Sequence, residues 1–401
     1  MHTLVQKYGG SSVESIEKMQ QIADKIILEK EKGTRLVVVV SAMGKTTNHL
    51  IEIANQASST PSKRELDLLM STGEQVSIAL LTMILKEKGC LAIALTGLQA
   101  GILTGGLHTK NKILDIEIKK VEKYLHDDLV VVVAGFQGYN EEGDITTLGR
   151  GGSDTTAVAL AAKLGCTCEI YTDVDGIYSV DPRVFPKAKK LDVISYEEMK
   201  EMASLGAKVM ETRSVEIGHR FGVPIYVASS TGSTPGTYIK EHDKTMEQRS
   251  ITGLSISENV LMITLNHVPY TSANIAHVFT ALAKAEVMVD MISQTSPIKG
   301  YANISFTTST DDKATVDKIL KALQAKFPEV EIQEESSISK VSVVGMGMRT
   351  QSGVAAKIFE LFAENGIDFK QVTTSEISIS YTIDSAFKLK IVDVITKAFD
   401  L

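Results

Sequence analysis

Thr146-Thr147-Leu148-Gly149-Arg150-Gly151-Gly152-Ser153-Asp154-Thr155-Thr156 is the stretch that decides how this chain reads. It follows a β-branched run, Val130-Val131-Val132-Val133-Ala134, and a polar turn through 140–144, and it leads into a small apolar run over 157–165. The pattern is strand, glycine loop, helix. Such a junction gathers unpaired backbone N–H groups and the positive end of a helix dipole at one point, so an anion is its natural guest. Arg150, flanked by glycines, adds a planar fork for a carboxylate or phosphate, and Asp154 adds a carboxylate inside the same cradle. The plainer alternative is an ordinary strand-to-helix turn with Ser153 or Asp154 capping the helix.

The same alternation extends through residue 228. Strand-like runs at 4–5, 36–40, 91–95, 130–134, 169–172 and 225–228 alternate with helical patterns at 16–30, 66–86, 154–164 and 195–221. That order predicts an α/β fold, a largely parallel sheet covered by helices. A cluster of Ser, Thr and Gly at 229–233, Pro235-Gly236 and a polar run over 240–249 read as a boundary. Beyond it the chain repeats at an offset of 80: Ile275-Ala276-His277-Val278-Phe279 lies over Ala355-Ala356-Lys357-Ile358-Phe359, and Ala283 over Ala363. Each copy has a strand-like run before its helix and another after, as in two βαββ units.

Length and composition agree with several buried domains. The 401 residues are 43% hydrophobic and 23% charged, and the net charge of −7 argues against nucleic acid or an anionic membrane as partner. Three cysteines make no disulfide framework, and the N-terminus lacks an apolar signal core, so a cytoplasmic protein is expected. None of the eight histidines stands at a zinc-ligand spacing.

A second glycine loop stands at Val5-Gln6-Lys7-Tyr8-Gly9-Gly10-Ser11-Ser12. A lysine at a strand end, then two glycines and two hydroxyls, can hold a phosphate, with N–H groups gripping it and Lys7 neutralising it. It is not a P-loop, because the lysine precedes the glycines; Gly44-Lys45-Thr46 lacks the upstream glycine, with Val39 in its place, and Gly345-Met346-Gly347 lacks the third glycine of a dinucleotide fingerprint.

Taken together with Val39-Val40-Ser41-Ala42-Met43-Gly44, Ser71-Thr72-Gly73-Glu74, Tyr171-Thr172-Asp173-Val174-Asp175-Gly176-Ile177-Tyr178, Asp181-Pro182-Arg183 and Gly206-Ala207-Lys208-Val209, these loops resemble the bacterial aspartokinases of the amino-acid-kinase superfamily. The likeness runs end to end, with the repeat corresponding to a tandem of ACT regulatory units. It implies a three-layer sandwich around a mainly parallel sheet over 1–238, a linker over 239–250, and ferredoxin-like βαββ units over 251–330 and 331–401, between which strands could be exchanged. It also implies transfer of the ATP γ-phosphoryl group to the side-chain carboxylate of L-aspartate with Mg²⁺, for which no direct protein ligand is assigned.

Position by position, the resemblance makes Lys7, Asp154 and Lys208 catalytic. It puts Tyr8, Gly9, Gly10, Ser11, Ser41, Thr172, Asp173, Tyr178, Asp181 and Arg183 at the nucleotide, together with Lys7 and Lys208. Thr47, Glu74, Arg150, Gly151, Gly152, Ser153 and Asp154 fall to the aspartate. Feedback by lysine, threonine or both is implied, with Asn274, Gln294, Gly353 and Glu376 as effector candidates. A homo-oligomer through the ACT units is implied, and an internal start at Met246 would give a short regulatory subunit.

Plainer roles stand beside these. Glu74 could favour a helix N-terminus, Asp173 and Asp175 could be turn residues, Asp181-Pro182 a turn pair, and Lys208 a solvated helix lysine. Met210-Glu211-Thr212-Arg213 departs from the His-Pro that many relatives carry there. The rival activities are those of acetylglutamate, glutamate 5- and uridylate kinases, or a catalytically dead amino-acid sensor. The tandem tail opposes the former, and retention of Lys7, Glu74, Arg150, Asp154 and Lys208 the latter.

Overall fold

The computed structural model describes residues 2–207, 209–232, 234–241 and 249–401. They fall into two units: Met1–Tyr178, Lys190–Ser204 and Lys208–Met246 make the first, and Ser179–Lys189, Leu205–Ala207 and Glu247–Leu401 the second.

The first unit opens with β1 (Thr3–Tyr8), α1 (Ile16–Glu31), β2 (Arg35–Val40), α2 (Thr46–Ala57), α3 (Lys63–Glu87) and β3 (Ala92–Leu95). β4 (Ile102–Gly105), β5 (Lys112–Ile116), α4 (Lys119–His126), β6 (Val130–Ala134), β7 (Gln137–Tyr139) and β8 (Ile145–Thr147) follow. It ends with α5 (Gly152–Leu164), β9 (Thr167–Thr172), β10 (Val193–Ile194), α6 (Tyr196–Ser204), α7 (Thr212–Phe221), β11 (Ile225–Ser229) and β12 (Thr237–Ile239). Eight strands form one sheet in the order β10-β12-β11-β9-β1-β2-β6-β3. All its pairings are parallel except β11 with β12. Val37 to Val40 and Val130 to Ala134 are all buried, as strands covered on both faces must be.

The expected helix over 195–221 is two helices, α6 and α7, because the chain between them leaves the first unit at Leu205–Ala207. A second, four-stranded sheet, β5-β4-β7-β8, was not expected; its strands are three to five residues long.

α3 is long and apolar enough to cross a membrane, yet half of the qualifying stretch is buried inside the protein. Asp67, Ser71, Glu74 and Ser77 are buried along it at spacings of four and three, so one helical face turns polar groups inward. That is the face of a core helix that also builds a site.

In the second unit β13 (Gly253–Ser257), β14 (Leu261–Pro269), α8 (Ser272–Lys284), β15 (Ile292–Gln294), β16 (Tyr301–Thr308), α9 (Lys313–Lys326) and β17 (Glu331–Glu335) are followed by the second copy of the repeat. That copy is β18 (Ile338–Val344), α10 (Val354–Glu364), β19 (Phe369–Thr374), β20 (Ser378–Asp384) and α11 (Lys388–Phe399). The 80-residue offset lays α8 over α10, and β14, β15 and β16 over β18, β19 and β20. The sheets are β15-β16-β14-β17 and β13-β18-β20-β19. Sheet membership therefore crosses the expected divisions: β13 pairs antiparallel with β18 of the second copy, while β17, beyond residue 330, pairs with β14 of the first. β18 is buried along all seven residues, so its outer edge needs a paired strand, and β13 provides it.

Candidate active site

The strand order turns at β1. From β1 the chain steps to β2 on one side and later, through α5, arrives at β9 on the other. In open parallel sheets ligands sit beyond the carboxyl ends of the strands at such a reversal. Lys7, at the end of β1, pairs with Tyr171's neighbour Ile170 in register, and Tyr8 with Tyr171 and Val40, which puts the ends of β9, β1 and β2 side by side.

The loops that leave these ends are laced together. The Gly9 N–H donates to the Tyr171 carbonyl at 3.1 Å, the Ser41 N–H to the Tyr8 carbonyl at 3.2 Å, and the Gly44 N–H to the Gly10 carbonyl at 3.0 Å. A Cβ on Gly10 would lie 2.9 Å from the Ala42 carbonyl oxygen and 3.2 Å from that of Gly44, so only glycine allows this approach. Lys7 Nζ lies 2.5 Å from Asp154 Oδ1, both side chains almost buried. A Cβ on Gly9 would stand 3.5 Å from that ammonium, which places the glycine loop against the ion pair. Asp154 thus spends its carboxylate on Lys7. Gly151 is the helix N-cap, at φ 67° and without a side-chain cap, so neither Ser153 nor Asp154 has the capping role.

Gly149 at φ 78° and Gly151 bracket Arg150 in left-handed backbone that other residues rarely adopt. The Arg150 side chain is exposed. Ser153 is buried against Gly135, where an added Cβ would meet the serine Oγ at 2.8 Å.

Glu74 stands midway along α3, not at a helix start, which removes the helix-dipole explanation for it. Its Oε1 accepts the Ala42 N–H at 3.1 Å, and Oε2 has no hydrogen-bond partner among the described residues. Burial pushes its carboxyl up to about 8. Gly73 makes the approach tight: a Cβ there would lie 2.8 Å from that of Ala42. Thr47, half-buried, lies in the first turn of α2, on the same β2–α2 connection as Ala42.

The remaining expected residues lie on several elements. Tyr8 is fully buried and stacked on Tyr171 with ring centroids 5.0 Å apart, so its ring belongs to the core under the loop and not to a nucleotide surface. Ser11 is exposed, while the buried Ser12 hydroxyl has no partner among the described residues. Thr172, at the end of β9, donates to Asp173 Oδ1 at 3.0 Å. Tyr178 donates its hydroxyl to Asp175 Oδ1 at 2.9 Å, and Asp175 Oδ2 accepts from Thr234 at 3.0 Å. Burial raises the Asp175 carboxyl, but these two hydrogen bonds, the Lys190 charge and a backbone hydrogen bond together hold it below the usual range. Asp181 and Arg183 lie in Ser179–Lys189, which belongs to the second unit, where Arg183 Nη2 is 2.7 Å from Asp181 Oδ2. Lys208 and Met246 lie outside the described residues.

Of the effector candidates, Asn274 in α8 donates from Nδ2 to the Pro269 carbonyl at 2.9 Å, and Gln294 is exposed on β15. Gly353 is the N-cap of α10 at φ 91°, and Glu376 lies 3.1 Å from Arg349 Nη2.

Two residues near the Arg150 loop escaped the sequence reading. A Cβ on Gly151 would meet Glu211 Cβ at 2.4 Å, so the Glu211 side chain lies over that glycine. Its carboxyl is raised, first by burial and further by Asp154, against the lowering effects of Arg213 and Arg150. Arg213 Nη1 donates to the carbonyls of Leu148 at 2.9 Å and Asn111 at 3.1 Å. The only signal was the departure at 210–213.

Known proteins identify the family. The profile of the amino acid kinase family matches residues 2–229, and an ACT domain profile matches 341–399. Fold and site define a phosphotransferase with an ACT-bearing tail. The chain is 46% identical to the aspartokinase of Geobacillus stearothermophilus over 403 residues, covering 100% of this chain and 98% of the relative. It is 44% identical to aspartokinase 2 of Bacillus subtilis (strain 168) over 402 residues, with the same coverage. The crystal structure of E. coli aspartokinase III in complex with aspartate and ADP (R-state) matches at a TM-score of 0.80 and 25% identity over 99% of both chains. That enzyme in complex with lysine and aspartate (T-state) matches equally well. The chain belongs to the amino acid kinase family, as one of its aspartokinases.

Proposed function

We propose that this chain transfers the γ-phosphoryl group of ATP to the side-chain carboxylate of L-aspartate, forming 4-phospho-L-aspartate and ADP. The observation that carries the reading is the Lys7–Asp154 ion pair, held between the Gly9-Gly10 loop and the start of α5, four residues after Arg150.

The nucleophile is already ionised at neutral pH, with a reference pKa of ~3.9, so no general base is required. The barrier is the meeting of two anions, and it is lowered by charge neutralisation and in-line positioning. Lys7 and the N–H groups of the glycine loop take the phosphates, with Lys208 as a second cation and Ser11, Ser41, Thr172, Asp173 and Tyr178 beside the nucleotide. Arg150 receives a substrate carboxylate as a bidentate pair, Glu74 Oε2 the ammonium, and Thr47 and Gly151 to Ser153 complete the acceptor side. Asp154 orients Lys7.

Among the described residues no three His, Cys, Asp or Glu side chains cluster as a metal cage, and Asp154 is already paired with Lys7. That donor set fits a Mg²⁺ held chiefly by nucleotide phosphates and water. When bound, the ion supplies further neutralisation of the β- and γ-phosphate charge.

The aspartate and ADP held by the E. coli relative support both substrates, and its lysine complex supports an amino-acid effector. We read the chain as a cytoplasmic first enzyme of the route from aspartate to lysine (through diaminopimelate), threonine and methionine. Residues 1–238 are catalytic, 239–250 link, and 251–401 respond to lysine, threonine or both in a homo-oligomer. A coupled assay of ADP formation with aspartate, glutamate, acetylglutamate and UMP tests the reaction. Turnover with aspartate alone is expected; no aspartate-dependent ADP formation overturns it.

A further inference from the structure

Asp67 and Arg213 both hold the chain at the end of β8. Asp67 is fully buried on α3, two helical turns before Glu74. Its carboxylate accepts the Thr109 N–H at 3.0 and 3.1 Å and the Thr147 hydroxyl, and His108 Nδ1 lies 2.7 Å from Oδ2. Thr109 is a β-branched residue at φ 71°, a strained backbone that persists only where its surroundings fix it. The Thr109 carbonyl oxygen in turn stands 3.1 Å from where a Gly149 Cβ would be, and the Asn111 N–H donates to the Thr147 carbonyl at 3.0 Å. From α7, Arg213 binds the next carbonyl along, that of Leu148, together with that of Asn111. Thr147 and Leu148, just before Arg150, are therefore bonded to the β4–β5 turn, to α3 and to α7, and Gly149 packs closely against the Thr109 carbonyl.

We infer that Asp67 and Arg213 are positioning residues for aspartate binding. They fix the backbone that presents Arg150, and because Asp67 shares a helix with Glu74, they set the spacing between the group proposed for the substrate carboxylate and the group proposed for its ammonium. The inference rests on the acceptor-side reading of Arg150 given above. A preorganised fork loses its advantage once its backbone wanders, and a displacement near 1 Å can cost about 100-fold in catalysis. The nucleotide loop at Gly9-Gly10 shares none of these bonds.

The test is steady-state kinetics of Asp67→Ala, Arg213→Ala and Arg213→Lys, each alone and combined with Arg150→Ala, varying aspartate and ATP separately. Asp67→Ala and Arg213→Ala should raise KM for aspartate about 10-fold or more, leave KM for ATP within twofold, and add little once Arg150 is alanine. Arg213→Lys should recover part of the loss. If Arg150→Ala raises KM for aspartate but the two clamp variants lower only kcat or the active fraction, the inference is overturned. Full additivity in the double variants overturns it equally. If Arg150→Ala itself leaves KM for aspartate unchanged, it is the acceptor-side reading that has failed. Arg213 is not in the core, so its variants decide the matter even if Asp67→Ala does not fold.

Discussion

Glu74→Gln separates the substrate role of this carboxyl from a packing role. Glu74 is 3% exposed, and burial raises its carboxyl from 4.5 to about 8. A rise of that size corresponds to about 5 kcal/mol against the charged form, at about 1.4 kcal/mol for each pH unit, and burial leaves little solvent screening to discount it. The sign follows from proton binding. Between pH 4.5 and 8 the native state holds a proton that the unfolded chain has released. Stability from this group is therefore full below 4.5 and is lost as pH climbs through 8. At pH 7 Glu74 is therefore chiefly protonated. If its unpartnered Oε2 meets the substrate ammonium, that proton must leave on binding. Calorimetric titration of aspartate at pH 7, in buffers of different ionisation enthalpy, should then show proton release in the native enzyme that Glu74→Gln lacks. Affinity in the native enzyme should rise by about tenfold for each pH unit up to about 8 and then level off. Glutamine keeps the acceptor for the Ala42 N–H, so the variant should fold. No proton release, or equal release from the variant, refutes the pairing.

Two further outcomes follow from the same geometry. Gly151→Ala puts a Cβ 2.4 Å from that of Glu211 at a φ of 67°, so it should lower Tm by several degrees, about 1–3 kcal/mol of overpacking and backbone strain, and sharply raise KM for aspartate; unchanged thermal melting and kinetics would contradict the loop geometry. Lysine and threonine, added singly and together to the aspartate-dependent assay, should inhibit the full chain through 251–401; indifference to both would remove the feedback proposal.

The sheet was legible because its central strands are short apolar runs rich in β-branched valine: Leu36 to Val40 and Val130 to Ala134 suit a strand covered on both faces. α5 was legible from its glycines and its small apolar face. α2 was not read, although Leu50, Ile51, Ala54 and Ala57 lie along one helical face; only Ala54 of it is buried. The β4–β5–β7–β8 sheet escaped because its strands are too short for a period of two to show. The site divides in the same manner. Lys7 and Asp154 sit in glycine-marked loops that local sequence exposes, whereas Asp67 has meaning only through partners 41 and 80 residues away. Proximity to a loop says nothing of which way a ring turns, and the Tyr8 ring at the end of β1 enters the core. Asp181 and Arg183 were placed by motif alone, and the chain carries them into the other unit. Exchange of strands between the two small units was expected from the resemblance; which strands cross, β13 and β17, is a matter of long-range pairing.

The central claim is a division of labour, with Lys7 at the transferring phosphoryl group and Arg150 at the acceptor. Kinetics of Lys7→Ala and Arg150→Lys, with aspartate and ATP varied independently, test it most directly. Lys7→Ala should lower kcat by about 100-fold or more, as loss of a preorganised charge does, with KM for aspartate little changed. Arg150→Lys should chiefly raise KM for aspartate, because an ammonium cannot reproduce the bidentate fork. Equal losses of both parameters in both variants would contradict the account.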